Sequence, residues 1–185
     1  AAITAANELA EHVRTGDATH SPWPFRVVAA TNSIRDEYCA CAVRSIELFD
    51  ELIRLNLGNV SSYSAARTTA FNWLLNFPIQ NNRWVNYFED MPNDPTIHNH
   101  NQLIAGETAK YLLNHPETDP NWEAHVRSII SWVEGRFGGT PLFGATPIGE
   151  QDEFNLLMGS HTSRYGALNA LLFERTGDSV AFDKA

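Results

Sequence analysis

At 185 residues, 43% hydrophobic and 19% charged, the chain carries enough apolar side chain for a sizeable core and contains no low-complexity stretch. Thirteen basic against 22 acidic residues give a net charge of −9 at neutral pH; with no Lys/Arg run, this argues against nucleic acid as a partner. No apolar run reaches the roughly 18 residues of a membrane span, and the first ten residues lack the basic start and apolar centre of a signal peptide, so a soluble chain away from membranes is expected. Whether it works in the cytoplasm or after export is left open.

In chain order, apolar residues at helical spacing predict helices over 2–14, 37–56, 61–76, 101–114, 120–136 and 160–176, with another start near 179. Short polar breaks at 56–59, 115–120 and 176–178 separate them. Cys39 and Cys41 fall two apart in the second pattern. On a helix they would point about 200° apart, unable to join or to share a metal, so each is expected to be an isolated core or surface thiol.

A weak repeat of about sixty residues runs through this series. Tyr63, Ala65 and Trp73 match Trp122, Ala124 and Trp132 at a spacing of 59, and Phe182 follows Trp122 after 60. Two helical patterns inside one period describe a helical hairpin used repeatedly, with Trp73 and Trp132 as core packing. Alternate connectors are long, over 15–36, 77–100 and 137–159. In an antiparallel array they fall on one side, where binding and catalysis usually sit. The last copy begins at Asp178 and stops within its first helix. Its uncovered face is expected to be met by the rest of a longer chain or by a second copy.

The stretch 63–75 resembles an outer helix, and 101–113 an inner helix, of the α/α toroids, in which six helical hairpins close a ring. The expected fold is therefore all-α, antiparallel hairpins forming part of an α/α toroid, with one such domain over 1–185. What the resemblance implies is a six-hairpin glycosidase-like protein, from a group rich in glycoside hydrolases and polysaccharide lyases, with its active site where long loops enter the inner helices.

Each long loop holds candidates. In the first, prolines flank Trp23, whose indole can stack on a sugar ring or plug the bundle, and Arg26 follows as a ligand for acidic groups. In the second, Trp84 and Tyr87 offer stacking surface, Asn82, Asn99 and Gln102 can bond hydroxyls, and Glu89 or Asp90 can act as general acid or base or simply cap a helix. His98 and His100 raise the question of zinc, but no third ligand follows at a suitable spacing, so no metal or other cofactor is expected. In the third, Glu150 precedes Ser160, a candidate helix cap, and then His161, Arg164 and Tyr165. The spacing of four puts His161 and Tyr165 on one helix face, where they can abstract a proton from a uronate while Arg164 neutralises the acid. Glu107, inside an inner-helix pattern, faces either the ring centre as a buried acid or a sideways partner.

Three functions fit these residues. A carbohydrate-active hydrolase or lyase leads. A non-catalytic module holding a glycan or protein on the same face uses the same aromatics without paired acids. A toroid enzyme acting on an isoprenoid is weaker, because Asn, Gln and Arg among the loop aromatics favour a polar ligand.

Overall fold

The computed structural model describes residues 1–85 and 99–185. Its described residues are mainly helical, with a single two-stranded sheet. The chain divides into two units, Ala1–His98 and Asn99–Ala185.

The first unit opens with α1 (Ala2–Glu11), a hairpin of β1 (Arg26–Val28) and β2 (Ser33–Asp36), and α2 (Ala42–Arg54). It continues through α3 (Val60–Asn76) and the single turn α4 (Pro78–Asn81). Apolar residues of α2 recur as Ala42, Val43, Ile46, Phe49 and Leu52, all buried, the three-to-four spacing that gives a helix one apolar stripe. That stripe packs along α3. Ala6 of α1 joins Phe49, Leu52, Tyr63 and Ala66 in the core, with Trp23 packed against its edge. The chain reverses between α2 and α3 through Asn56 and Gly58, both left-handed (φ 54° and 74°). Asn59 then caps α3 by accepting a hydrogen bond from the Ser62 amide at 3.3 Å.

The hairpin β1–β2 replaces part of the first expected loop. Its strands pair antiparallel, Arg26 opposite Asp36. Val27, Val28 and Ile34 stay exposed on it. Helix α2 starts at Ala42, later than the pattern over 37–56 suggested. This corrects the reading of the cysteines. Cys39 precedes the helix and Cys41 is its N-cap, so helical divergence does not apply, and their sulphurs lie 2.7 Å apart.

The second unit contains α5 (Gln102–Asn114), a 3₁₀ turn (Pro116–Thr118), α6 (Trp122–Phe137), α7 (Gly159–Thr176) and the short α8 (Ser179–Asp183). Helix α5 packs against both α6 and α7. Asp119, almost fully buried, holds the start of α6 by accepting from the Asn121 amide at 2.9 Å and meeting His125 Nδ1 at 2.6 Å. The repeat of 59 is visible in burial: Ala70 and Ile129, Phe71 and Ile130, and Leu74 and Val133 are buried in both copies. Trp132 departs from it. Trp73 is 1% exposed, whereas Trp132 is only half-buried, beside His100 at 6.0 Å and under the Arg136 guanidinium at 5.9 Å. Its neighbours His100, just before α5, and Arg136, one turn on along α6, are polar, unlike the aromatic surroundings of Trp73. Helix α7 starts at Gly159 with Met158, not Ser160, as N-cap, because the Met158 carbonyl takes the first amides, those of His161 and Thr162. It ends on Gly177, left-handed at φ 72°. Among the described residues no helix is long and apolar enough to cross a membrane.

Candidate functional site

In the first unit, the residues singled out from sequence are absorbed by structure. Trp23 donates its indole N–H to the Leu9 carbonyl at 2.8 Å and lies 6.2 Å from the Phe49 ring, tilted across it. Of its two readings, the plug is the one these contacts serve. Arg26 pairs across the hairpin with the buried Asp36 carboxylate. Trp84, expected as a stacking platform, is fully buried and donates to Asn82 Oδ1 at 3.0 Å. Its ring has no face left for a sugar. Asn82 adopts the left-handed conformation (φ 47°) that ends α4, a role asparagine tolerates better than most side chains. Tyr87, Glu89, Asp90 and His98 lie outside the described residues.

The second unit brings its candidates together. Asn101 to Gln151 form an antiparallel bridge, which draws the third loop onto the start of α5. Asn99, itself buried, donates to Gln151 Oε1 at 2.6 Å and accepts from the Glu153 amide at 3.2 Å, so it serves as a clasp. Asp152 extends it: its carboxylate accepts from the His100 amide at 3.1 Å, meets His100 Nδ1 at 2.9 Å and takes two hydrogen bonds from Arg136 at 2.7 Å. Burial alone would raise the Asp152 carboxyl, but Arg136 and His100 outweigh it and hold it below its ordinary value of 3.8.

His161 sits in the first turn of α7, 7% exposed. Its Nδ1 lies 2.7 Å from the Gln102 carboxamide, across from the first turn of α5. Its Nε2 is buried and meets no hydrogen-bonding atom among the described residues. A buried polar nitrogen without a partner costs on the order of 1–3 kcal/mol, so such atoms are rare, and a bound water, an ion or a catalytic role accounts for them. Burial lowers the His161 pKa below 6.5; Glu150 opposes this and Arg164 reinforces it. The imidazole is therefore neutral at physiological pH. As placed, the Gln102 amide nitrogen faces Nδ1 and donates to it, which puts the proton of the neutral ring on Nε2; turning the amide by 180° presents its oxygen instead. If the oxygen faces Nδ1–H, Nε2 keeps its lone pair and can accept a proton.

Gln102, Arg164 and Tyr165 also line one cleft of about 170 Å³ between α5 and α7, with Glu107 and Lys110 on its α5 wall. A Cβ at Gly106 would stand 3.4 Å from Leu168 Cδ1, an ordinary packing contact. Tyr165 donates to Glu134 Oε2 at 2.8 Å, and Lys184 reaches the same oxygen at 2.5 Å. Burial first, and then Glu134, push the Tyr165 phenol well above its ordinary range, so it stays protonated. Burial would raise Glu134, but Lys184 and Tyr165 prevail and hold it below 4.5.

Sequence reasoning missed Glu134, Arg136 and the role of Asp152, which organise this region. Arg136 and Asp152 are 16 residues apart, and Glu134 and Lys184 are 50, so no local spacing announces either pair. Among the described residues the one cluster of His, Cys, Asp and Glu compact enough to hold an ion is Glu8, Glu11 and His12, exposed at the end of α1. No known family model, curated protein or solved structure matches the chain.

Proposed function

We propose that the chain is part of an α/α toroid acting on an acidic carbohydrate, as a polysaccharide lyase-like or glycoside hydrolase-like enzyme. The observation that carries this reading is His161: a buried, neutral imidazole with Nδ1 against the Gln102 amide and Nε2 without a hydrogen-bonding partner among the described residues. Proton abstraction next to a uronate carboxylate needs such a base, a cation to neutralise the carboxylate and a proton donor. Arg164 and Tyr165, one helical turn or less from His161, offer the second and third. The paired burial of α3 and α6 positions and the packing of α5 against α7 fit hairpins in a ring, with α5 and α7 as inner helices. Both helices start at this cluster, and helix N-termini favour a negatively charged group.

The test is incubation of the chain with uronate-containing polysaccharides, following both release of reducing ends and absorbance of an unsaturated product. A lyase raises both signals; a hydrolase raises reducing ends alone. His161→Ala is expected to lower the rate on the order of 10²- to 10⁴-fold, the usual contribution of a positioned base. Binding without turnover would replace the enzyme with a glycan-binding module, and no binding at all would sink the proposal.

A further inference from the structure

The first unit holds a feature that the carbohydrate reading leaves unused. Cys39 is buried, 7% exposed, and Cys41 is half-buried at the N-cap of α2. Their sulphurs stand 2.7 Å apart, inside the contact distance of two non-bonded sulphurs, and the Cys41 amide donates to the Cys39 sulphur at 3.4 Å. The Cys39 amide in turn donates to Ser21 Oγ at 3.3 Å, and the Ser21 hydroxyl donates onward to the Glu37 carbonyl at 3.0 Å. The turn is thus held by the backbone around it with both sulphurs facing each other. Both cysteines border a cavity of about 170 Å³ that also meets Ser21, Trp23, Phe25 and Ser45. The chain contains two cysteines in all, so an intramolecular bridge has one possible identity.

We propose that Cys39 and Cys41 are a reversible dithiol–disulfide pair that exchanges with a low-molecular-weight disulfide entering this cavity. Cys41, the less buried sulphur, attacks as the thiolate. It forms a mixed disulfide with one half of the reagent and expels the other half as a thiolate. Cys39 then gives up its proton and attacks Cys41 Sγ, closing the Cys39–Cys41 bond and releasing the second half. The protein loses two protons and two electrons, and the reagent gains them as two thiols. A hydrogen bond to Cys41 and then burial raise the Cys39 thiol well above its ordinary 9.0, which suits the residue that resolves rather than the one that attacks first. Contact between the sulphurs makes the closing step intramolecular, so the mixed disulfide should be short-lived.

The experiment equilibrates the 185-residue chain in glutathione buffers poised from reduced to oxidised, quenches with acid, alkylates, and records intact mass. Expected is one oxidised species lacking two hydrogens, refusing alkylation at both sulphurs, and restored by dithiothreitol. Cys39→Ser removes the resolving sulphur and is expected to trap the glutathione adduct on Cys41, while Cys41→Ser, with only the buried thiol left, stays largely unmodified. The wild-type mass needs no variant to fold, and far-UV circular dichroism checks that the variants keep their helices. A wild-type chain that remains a dithiol throughout would overturn the proposal, as would one that accumulates the adduct without closing or forms disulfide-linked dimers.

Discussion

His161 shows how a residue that looks ordinary in sequence becomes unusual through its neighbours. It gives up most of its solvent on folding, and the group that contacts its Nδ1, Gln102, lies 59 residues away. The sequence offers the spacing to Tyr165 and nothing about Gln102, because only the approach of α5 to α7 creates that contact. The same dependence makes a sharp test. Replacing Gln102 by Glu keeps the size and puts a carboxylate where the amide now meets Nδ1, which favours the charged imidazole. Titration of His161 by NMR is expected to give a pKa below 6.5 in the wild-type chain and a clear upward displacement in Gln102→Glu. An identical midpoint in the two proteins would mean that Gln102 does not hold the ring. If His161 is the base, the Glu variant also loses rate at neutral pH and regains part of it in alkali, a recovery a purely structural defect would not show.

At the scale of elements, helices were more legible than the segments that join them, for a physical reason. A helix buries one stripe, so Ile46, Phe49 and Leu52 on α2 or Val126, Ile129, Val133 and Phe137 on α6 write its period into the chain. The segment 15–36 has no such stripe, and its hairpin exposes Val27, Val28 and Ile34, leaving no alternation to read. Trp84 misleads in the opposite direction, since an aromatic in a polar segment reads as a platform until the fold closes over it. Two junctions can be tested by substitution. Gly58 needs its left-handed φ of 74°, and a Cβ there would meet the Tyr63 hydroxyl at 2.5 Å. Gly58→Ala is therefore expected to lower stability by about 1–3 kcal/mol through backbone strain and displaced packing, read as a fall in the urea midpoint at constant m. In the second unit, Asp152→Asn keeps the shape but removes the charge that Arg136 and His100 share. A loss of about 1–2 kcal/mol is expected from these charged hydrogen bonds, part-buried at His100 and exposed at Arg136. An unchanged midpoint would show that the bridge between Asn101 and Gln151 suffices to hold the third loop.

At the scale of the whole molecule, the sixty-residue repeat reports which hairpins are alike, and the burial of α3 and α6 follows it. Each copy records only the faces it buries against its neighbours. Charge, by contrast, acts on the chain as a whole, and two effects oppose each other as pH falls. With a net charge of −9 and an isoelectric point near 5.1, acidification relieves repulsion among carboxylates and would stabilise the fold. Against this stand specific groups. Asp152 and Glu134 have folded pKa values below their ordinary 3.8 and 4.5, so the stability they contribute is present above those values and lost as pH falls through the folded ones. His161, depressed below 6.5, acts with the same sign: below 6.5 the unfolded chain takes up the proton first, and folding must give it back. Repulsion between exposed charges is screened over about 8 Å at 0.15 M ionic strength, whereas contacts of 2.5–3 Å lie well inside that distance and are screened less. The specific groups should therefore prevail at physiological salt. The melting temperature is expected to be highest near neutrality, to begin falling below about pH 6.5 as His161 is drawn upon, and to fall more steeply below about pH 4.5 as the carboxylates follow. His161→Gln should remove the first part of that decline and leave the second. A melting temperature that instead climbs towards pH 5 at this salt would mean that net repulsion, and not these specific groups, governs the stability of this fold.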